Sequence, residues 1–326
     1  MPVVEKSDYR PPFWLKGGHA QTIYPSLFRK LPQLDFRRVR IDAIDGDFID
    51  LDIFLAGKKP GTTAVILSHG LEGHARRTYM RGMCLAFSAL GWDCICRNFR
   101  FCGGSINRMP GMYHSGQTED IHSTVEYALE QGYSRLFLVG FSMGGNQTLK
   151  YLGERNSDLH PAIAGAVAFS VPCDLPGAAR VLDRPANSIY MRYFMRSLRP
   201  KVREKHVLYP DLYPLAGLER MRTFREFDSA YTAPVHGFSS ADEYWERAAS
   251  LPFLHRITVP TLLVNALNDP FLSKECFPYE VARNSEYMYL ETPDDGGHVG
   301  FTPKKRDGLL YWSETRAVKF VTNIAS

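Results

Sequence analysis

The chain has 326 residues, with 39 Lys+Arg against 35 Asp+Glu and a formal net charge of +4. Its 44% hydrophobic and 23% charged residues are ordinary for a globular chain, and the length suffices to bury a large core without disulfides or metals. That excludes disorder, collagen-like repeats and a disulfide scaffold, and the basic excess is too small to point to nucleic acid or an anionic membrane surface.

Residues 1–14 carry Glu5, Lys6, Asp8 and Arg10 and no apolar run, so they do not read as a signal peptide. Strictly apolar runs such as Ala64 to Leu67 fall far short of the ~20 residues that span a bilayer, so no stable membrane insertion is expected. The cysteines at 84, 94, 96, 102, 173 and 276 include no C-x-x-C pair and no Cys/His cluster with zinc spacing. Free thiols in a reducing cytoplasm, and no metal, are the expectation. Nothing in the sequence speaks to oligomeric state.

Residues 1–34, rich in Pro and aromatics with little period, read as an arm packed over the body. Two strand-like runs follow, Phe36 to Asp42 and Phe48 to Phe54, joined through Asp45-Gly46. Asp-Gly is a strong hairpin signal because Gly accepts positive φ without a clash. In the second run Ile49, Leu51 and Ile53 alternate with Asp50 and Asp52, which predicts a half-exposed strand. From Thr63 the rhythm changes. Short apolar runs (63–67, 93–99, 135–140, 164–169, 261–266, 286–290) alternate with helical stretches (78–90, 118–131, 143–154, 273–283, about 306–324). That alternation predicts an α/β fold with a mostly parallel central sheet covered on both faces. Its ligand site should lie at the carboxyl ends of the strands.

The interval 172–257 breaks the alternation, and Ser188 to Leu198 within it reads as a helix apolar on most sides. A segment that long is not a structureless loop, so we read it as a helical cap inserted over the carboxyl edge. The predicted organisation is therefore an arm at 1–34, a core at 35–171 and 258–326, and a cap at 172–257.

The chemistry concentrates at Gly140-Phe141-Ser142-Met143-Gly144-Gly145, directly after an apolar strand and directly before a helix. That is the setting of a nucleophile elbow, in which glycines two positions either side of the Ser keep side chains out of a very tight turn. Ser142 would stand at the top of the sheet over a helix N-terminus, with the Met143 N–H facing a developing oxyanion. A second oxyanion donor, the Leu71 N–H, is offered by His69-Gly70-Leu71-Glu72-Gly73 after the first parallel strand. A serine hydroxyl needs a base and an acid to orient that base. Asp269 and His298 occur in the required order, each in the loop after one of the last two strands. Asp294 and Asp295 are rival acids, but they share the loop of His298.

Other features compete less well. His114 with Glu119 five residues on could form a second catalytic cluster of acyltransferase type, though Thr118, Glu119 and Asp120 read as helix-capping residues. Arg192, Arg196, Arg199, Lys201, Arg203 and Lys205 read as a solvated cap face, with attraction to anionic lipid head groups as the alternative. Tyr190, Tyr193 and Phe194 would roof an apolar tunnel if long acyl chains are taken.

The His69-Gly70-Leu71-Glu72-Gly73, Tyr113-His114-Ser115-Gly116 and Gly140 to Asn146 motifs, with Asn268-Asp269-Pro270 and Gly297-His298, resemble the YheT-type esterases. These are a bacterial branch of the α/β-hydrolase superfamily related to the embryogenesis-associated hydrolases, and Gly18 to Thr22 resembles that branch's arm. The resemblance spans essentially the whole chain and is weakest in the cap. It implies an α/β-hydrolase fold and hydrolysis of carboxylic esters, short-chain or monoacylglycerol-type, by Ser142, Asp269 and His298 without a cofactor. The same site could serve an acyltransferase or thioesterase, and a pocket that binds without catalysis is the reading from another class. One departure is Phe101, where family chains tend to carry a small residue, usually Gly.

Overall fold

The computed structural model describes residues 3–304 and 308–325. A nine-stranded sheet runs through the molecule. In chain order its first half comprises β1 (Val3–Val4), α1 (Gly18–Phe28), β2 (Arg37–Asp42), β3 (Phe48–Phe54), β4 (Thr63–Ser68), α2 (Thr78–Ser88), β5 (Asp93–Arg97), α3 (Glu119–Glu130), β6 (Arg135–Phe141), α4 (Met143–Arg155) and β7 (Ile163–Phe169). Between β7 and β8 come α5 (Leu175–Leu182), α6 (Ser188–Leu208), α7 (Phe224–Phe227), α8 (Ala233–Val235) and α9 (Ala241–Ala248). The chain ends with β8 (Thr261–Val264), α10 (Tyr279–Arg283), β9 (Met288–Glu291) and α11 (Trp312–Ala325).

The spatial order is β1-β9-β8-β7-β6-β4-β5-β3-β2. β3 pairs antiparallel with both β2 and β5, and every other pairing is parallel. This is the expected mostly parallel sheet with an antiparallel N-terminal hairpin. The apolar strands β4 to β8 are buried because helices cover both faces: Ile66, Leu138 and Leu263 pack in one core cluster, Leu67, Val139 and Val264 in the other. Fully burying such a side chain is worth about 1.5–3 kcal/mol, so this sandwich sets the frame on which the loops at the carboxyl ends are held.

Several local expectations change. β3 alternates in sequence but is not half-exposed: Asp50 and Asp52 are 4% and 0% exposed. Arg38 and Arg40 from β2 cover them with ion pairs, and Arg76 adds a second to Asp52. Carboxylates on an outer strand face can be buried when guanidinium groups lie flat over them. The stretch 273–283 is not one helix, because Pro278 separates a 3₁₀ turn at Lys274–Cys276 from α10. The predicted start of the last helix near Arg306 lies outside the described residues, and α11 is described from Trp312. The helix read at 188–198 continues to Leu208. Pro200 lies within it on the exposed side, where solvent can satisfy the carbonyl that its missing N–H would have bonded.

Candidate active site

Ser142 caps the N-terminus of α4 at φ 52 and ψ −121, a backbone state few non-glycine residues adopt. The turn is so tight that a Cβ at Gly140 would lie 2.5 Å from the Gly144 carbonyl oxygen, and one at Gly144 would lie 2.4 Å from that of His69. The two glycines are thus required by close backbone approach, which is the physical content of the G-x-S-x-G string.

Asp269 stands in the loop after β8 and His298 in the loop after β9. His298 Nε2 lies 2.9 Å from Ser142 Oγ, and its Nδ1 lies 2.8 Å from Asp269 Oδ2 and 3.1 Å from Oδ1. The Asp269 side chain is fully buried and also accepts the Phe271 N–H at 2.9 Å. The Phe271 ring lies 4.1 Å from the imidazole and shields it. The three side chains predicted from 156 residues of sequence separation (298 − 142) and less therefore meet. The rival acids do not reach His298: Asp295 accepts from Gln21 and Asn268 instead, and Asp294 is exposed.

Half of the side chains that hold the His298 loop come from α1, a role that sequence reasoning missed. Thr22 Oγ1 accepts the His298 N–H at 2.8 Å and donates to the Gly18 carbonyl, while Gln21 Oε1 accepts the Gly296 N–H at 2.6 Å. Asn268 Oδ1 accepts the Gly297 N–H, and Ser170 Oγ accepts the Val299 N–H at 2.8 Å. The one available signal was the Gly18-His19-Ala20-Gln21-Thr22 string, whose purpose depends on contacts more than 270 residues away.

Leu71 and Met143 line the same cavity as Ser142 and His298. Met143 is the first residue of α4, where the backbone N–H has no acceptor one turn back. Gly70 brings the other loop close: a Cβ there would stand 3.2 Å from that of Ser142. His69 fixes this loop from beneath, with Nδ1 2.7 Å from the Gly70 carbonyl and Nε2 accepting the Phe99 N–H. Complete burial pushes its pKa well below the ordinary imidazole value, so it is neutral and Nδ1 donates.

The cavity, about 120 Å³, opens between this site and the helices that follow β7. Its walls are mainly apolar, with Phe194, Leu198, Phe224 and Phe227 on one side and Met112 on another. One carboxyl lies among them. Asp228, in a π-helical turn at Asp228–Thr232, accepts from Trp245 Nε1 and Thr232 Oγ1, and burial pushes its pKa up to about 6.

The weaker candidates resolve differently. His114 lines the cavity beside His236, with ring centroids 4.6 Å apart, and burial holds it well below its usual pKa. Glu119 is exposed on α3, so the two do not form a cluster. The capping reading also needs correction: the Thr118 hydroxyl donates to Glu154 rather than capping α3, and Asp120 binds Arg100 in a bidentate pair. The basic run is only partly solvated. Lys205 is fully buried and donates to the carbonyls of Asn107 and Met109, and Lys201 pairs with Glu72. Of the tunnel residues, Phe194 faces the cavity, whereas Tyr193 is 51% exposed and points outward. Phe101 sits at φ 62, which explains why Gly suits that position.

Among the described residues no group of three or more His, Cys, Asp or Glu side chains could hold a metal ion, and no helix is long and apolar enough to cross a membrane.

A family model described as alpha/beta hydrolase fold matches residues 63–304, more than half of the chain. The chain is 33% identical to YheT of Escherichia coli, provisionally named an esterase, over 97% of this chain and 93% of that one. It is 28% identical to the phospholipase ABHD3 of Homo sapiens, over 92% of this chain and 75% of that one. An esterase of Pyrococcus furiosus shares the fold with a TM-score of 0.59 at 17% identity, covering 91% of this chain and 96% of that one.

Proposed function

The chain belongs to the α/β-hydrolase fold family, and on that premise we propose that it hydrolyses carboxylic esters through an acyl-enzyme formed on Ser142. The observation that carries this reading is the unbroken relay from Ser142 Oγ to His298 to Asp269, at 2.9 and 2.8 Å, on a strained elbow. His298 Nε2 takes the Ser142 proton as Oγ attacks the ester carbonyl, and Asp269 accepts from Nδ1–H, fixing the tautomer and stabilising the imidazolium. The N–H groups of Leu71 and Met143 receive the oxyanion. The imidazolium then protonates the leaving alkoxide, and water attacks the acyl-enzyme with His298 as base.

The apolar cavity walls support an acyl or alkyl group as the part of the substrate that is enclosed. Short-chain or monoacylglycerol-type esters are the substrate class in this reading, with residues 172–257 acting as the cap that shapes the pocket. The phospholipase name of one relative and the esterase names of others support an ester rather than an amide or a halide. The six free thiols support a reducing compartment, which makes the cytoplasm the location in this reading.

Ser142→Ala should lower the hydrolysis of p-nitrophenyl butyrate by about 10⁴–10⁶-fold, with the thermal transition unchanged and labelling by a fluorophosphonate abolished. Activity close to that of the unaltered protein would overturn the assignment.

A further inference from the structure

We propose that the outward face of α6 docks this protein on an anionic lipid surface, so that the cavity on the inner side of the same helix draws its esters from that surface. The cavity's role as an ester site is the reading given above; the docking face itself is argued independently of it.

Residues three, four, seven and eighteen positions apart share one side of an α-helix. Starting from Ile189, that rule places Arg192, Tyr193, Arg196 and Val207 in a single row, and all five are exposed. Ile189 and Tyr193 are each 51% exposed and Val207 is 79% exposed, so the row carries three large apolar side chains among its arginines. The opposite side of the helix is closed, with Phe194 and Leu198 lining the cavity and Val202 fully buried. Packing therefore explains the inner apolar residues; on the outer side Tyr193 Oη accepts from Arg77 Nη2 at 3.0 Å, and Ile189 and Val207 belong to no core cluster.

The cations on this row are also unspent. Further along the helix Arg203 is paired with Glu219, but Arg192 and Arg196 have no carboxylate partner among the described residues. Glu204 is the one acid on this side of α6. Next to α6 lies α1, in contact through His19 Nδ1 and Tyr190 Oη at 3.0 Å. It carries two further exposed apolar side chains, Leu27 at 67% and Phe28 at 58%.

Arginines interleaved with isolated large apolar side chains suit a lipid–water boundary. The guanidinium groups meet phosphates while the apolar groups enter the acyl layer between them. A protein partner would have to bring its own carboxylates to the two arginines and an apolar socket between them; an anionic bilayer supplies both layers at once. The site also gains from the arrangement, because a lipid ester leaving the bilayer meets the helix whose other face forms the pocket wall.

The test is sedimentation of the full-length protein with vesicles of phosphatidylcholine alone and of an equal mixture of phosphatidylcholine and phosphatidylglycerol. The protein should pellet with the mixture and not with the neutral vesicles. Each arginine near such a surface contributes about fivefold in affinity, so removing both positive charges weakens binding about 25-fold and the reversal in R192E/R196E weakens it further. The variant should hydrolyse soluble p-nitrophenyl butyrate as the unaltered protein does and lose hydrolysis of an ester presented in the anionic vesicles. Pelleting needs no turnover, so it decides the docking face even if the hydrolase assignment fails. Failure of the unaltered protein to pellet, equal pelleting with both vesicle types, or undiminished binding by the variant would overturn the proposal. So would a vesicle-free dimer broken by R192E/R196E, which would assign the face to a second copy of the chain, or a loss of soluble hydrolysis in the variant.

Discussion

Glu72→Gln tests whether α6 holds the loop that carries Leu71. Glu72 follows Leu71 directly, holds φ 53 and is 6% exposed. Its carboxylate accepts Tyr113 Oη at 2.5 Å, Lys201 Nζ at 2.6 Å and the Ser197 hydroxyl, so two of its three donors come from α6. Glutamine keeps the volume and removes the charge. The Lys201 ammonium would be left with the Cys102 sulfur at 3.2 Å and the rings of Phe101 and Tyr113 at 5.5 and 5.4 Å. Breaking a buried ion pair on one side costs about 3–5 kcal/mol. Lys201 keeps 14% side-chain exposure, which places the loss near the lower end, and for a chain of this length ~3 kcal/mol lowers Tm by about 4 °C. A Leu71 N–H released from its position would lower kcat by up to about 10²-fold with little change in KM. Steady-state kinetics on p-nitrophenyl butyrate together with a thermal melt measure both quantities. A double-mutant cycle with Lys201→Met should return a coupling of more than about 1 kcal/mol. Unaltered kcat and Tm in Glu72→Gln would refute the claim that this ion pair holds the loop.

Thr22→Val should leave the His298 N–H without its acceptor, costing about 1–3 kcal/mol and reducing kcat by about 10–10²-fold as the imidazole drifts; a variant with full activity would show that the arm merely covers the site. Asp228 titrates from 3.8 unfolded to about 6 folded. The folded state therefore binds the extra proton between those values, and the group stabilises the protein as pH falls from about 6 to about 4, by up to about 3 kcal/mol. Urea unfolding of the unaltered protein and of Asp228→Asn at pH 4 and pH 7 checks this: the stability difference between them should shift by that amount in favour of the unaltered protein at the lower pH, and a difference independent of pH would refute it.

The parts of this molecule that were legible in the sequence are those fixed by neighbours along the chain. Val65 to Leu67 and Leu136 to Val139 announce parallel strands because both their faces are covered. Ser142, Asp269 and His298 announce themselves because each stands within a few residues of a strand's carboxyl end. What was hidden depends on distant partners. Lys205 looks like a surface lysine until the carbonyls of Asn107 and Met109, about 100 residues earlier, take its ammonium. Asp50 and Asp52 look solvated until the arginines of β2 cover them. Thr22 and Gln21 carry no chemistry of their own, and their roles appear only when the loop of His298 is brought against them.

The backbone makes the same division from another direction. Among the described residues seven non-glycine residues hold positive φ, and apart from Asn156 at the end of α4 they are Glu72, Phe101, Ser142, Ser170, Val299 and Phe301. Each such residue costs of order 1–3 kcal/mol and persists only where its surroundings over-determine it. The surroundings are visible. Glu72 is pinned by three donors, and Ser170 and Val299 are pinned to each other through the Val299 N–H and Ser170 Oγ. Ser142 is held by the strand and helix either side of it. Local preference would place glycine at several of these positions. Because Glu72, Ser142 and Val299 adjoin Leu71, the elbow and His298, the stability sacrificed there goes into holding three loops at fixed distances. An imidazole that must stay within 2.9 Å of a hydroxyl requires that rigidity of its loop.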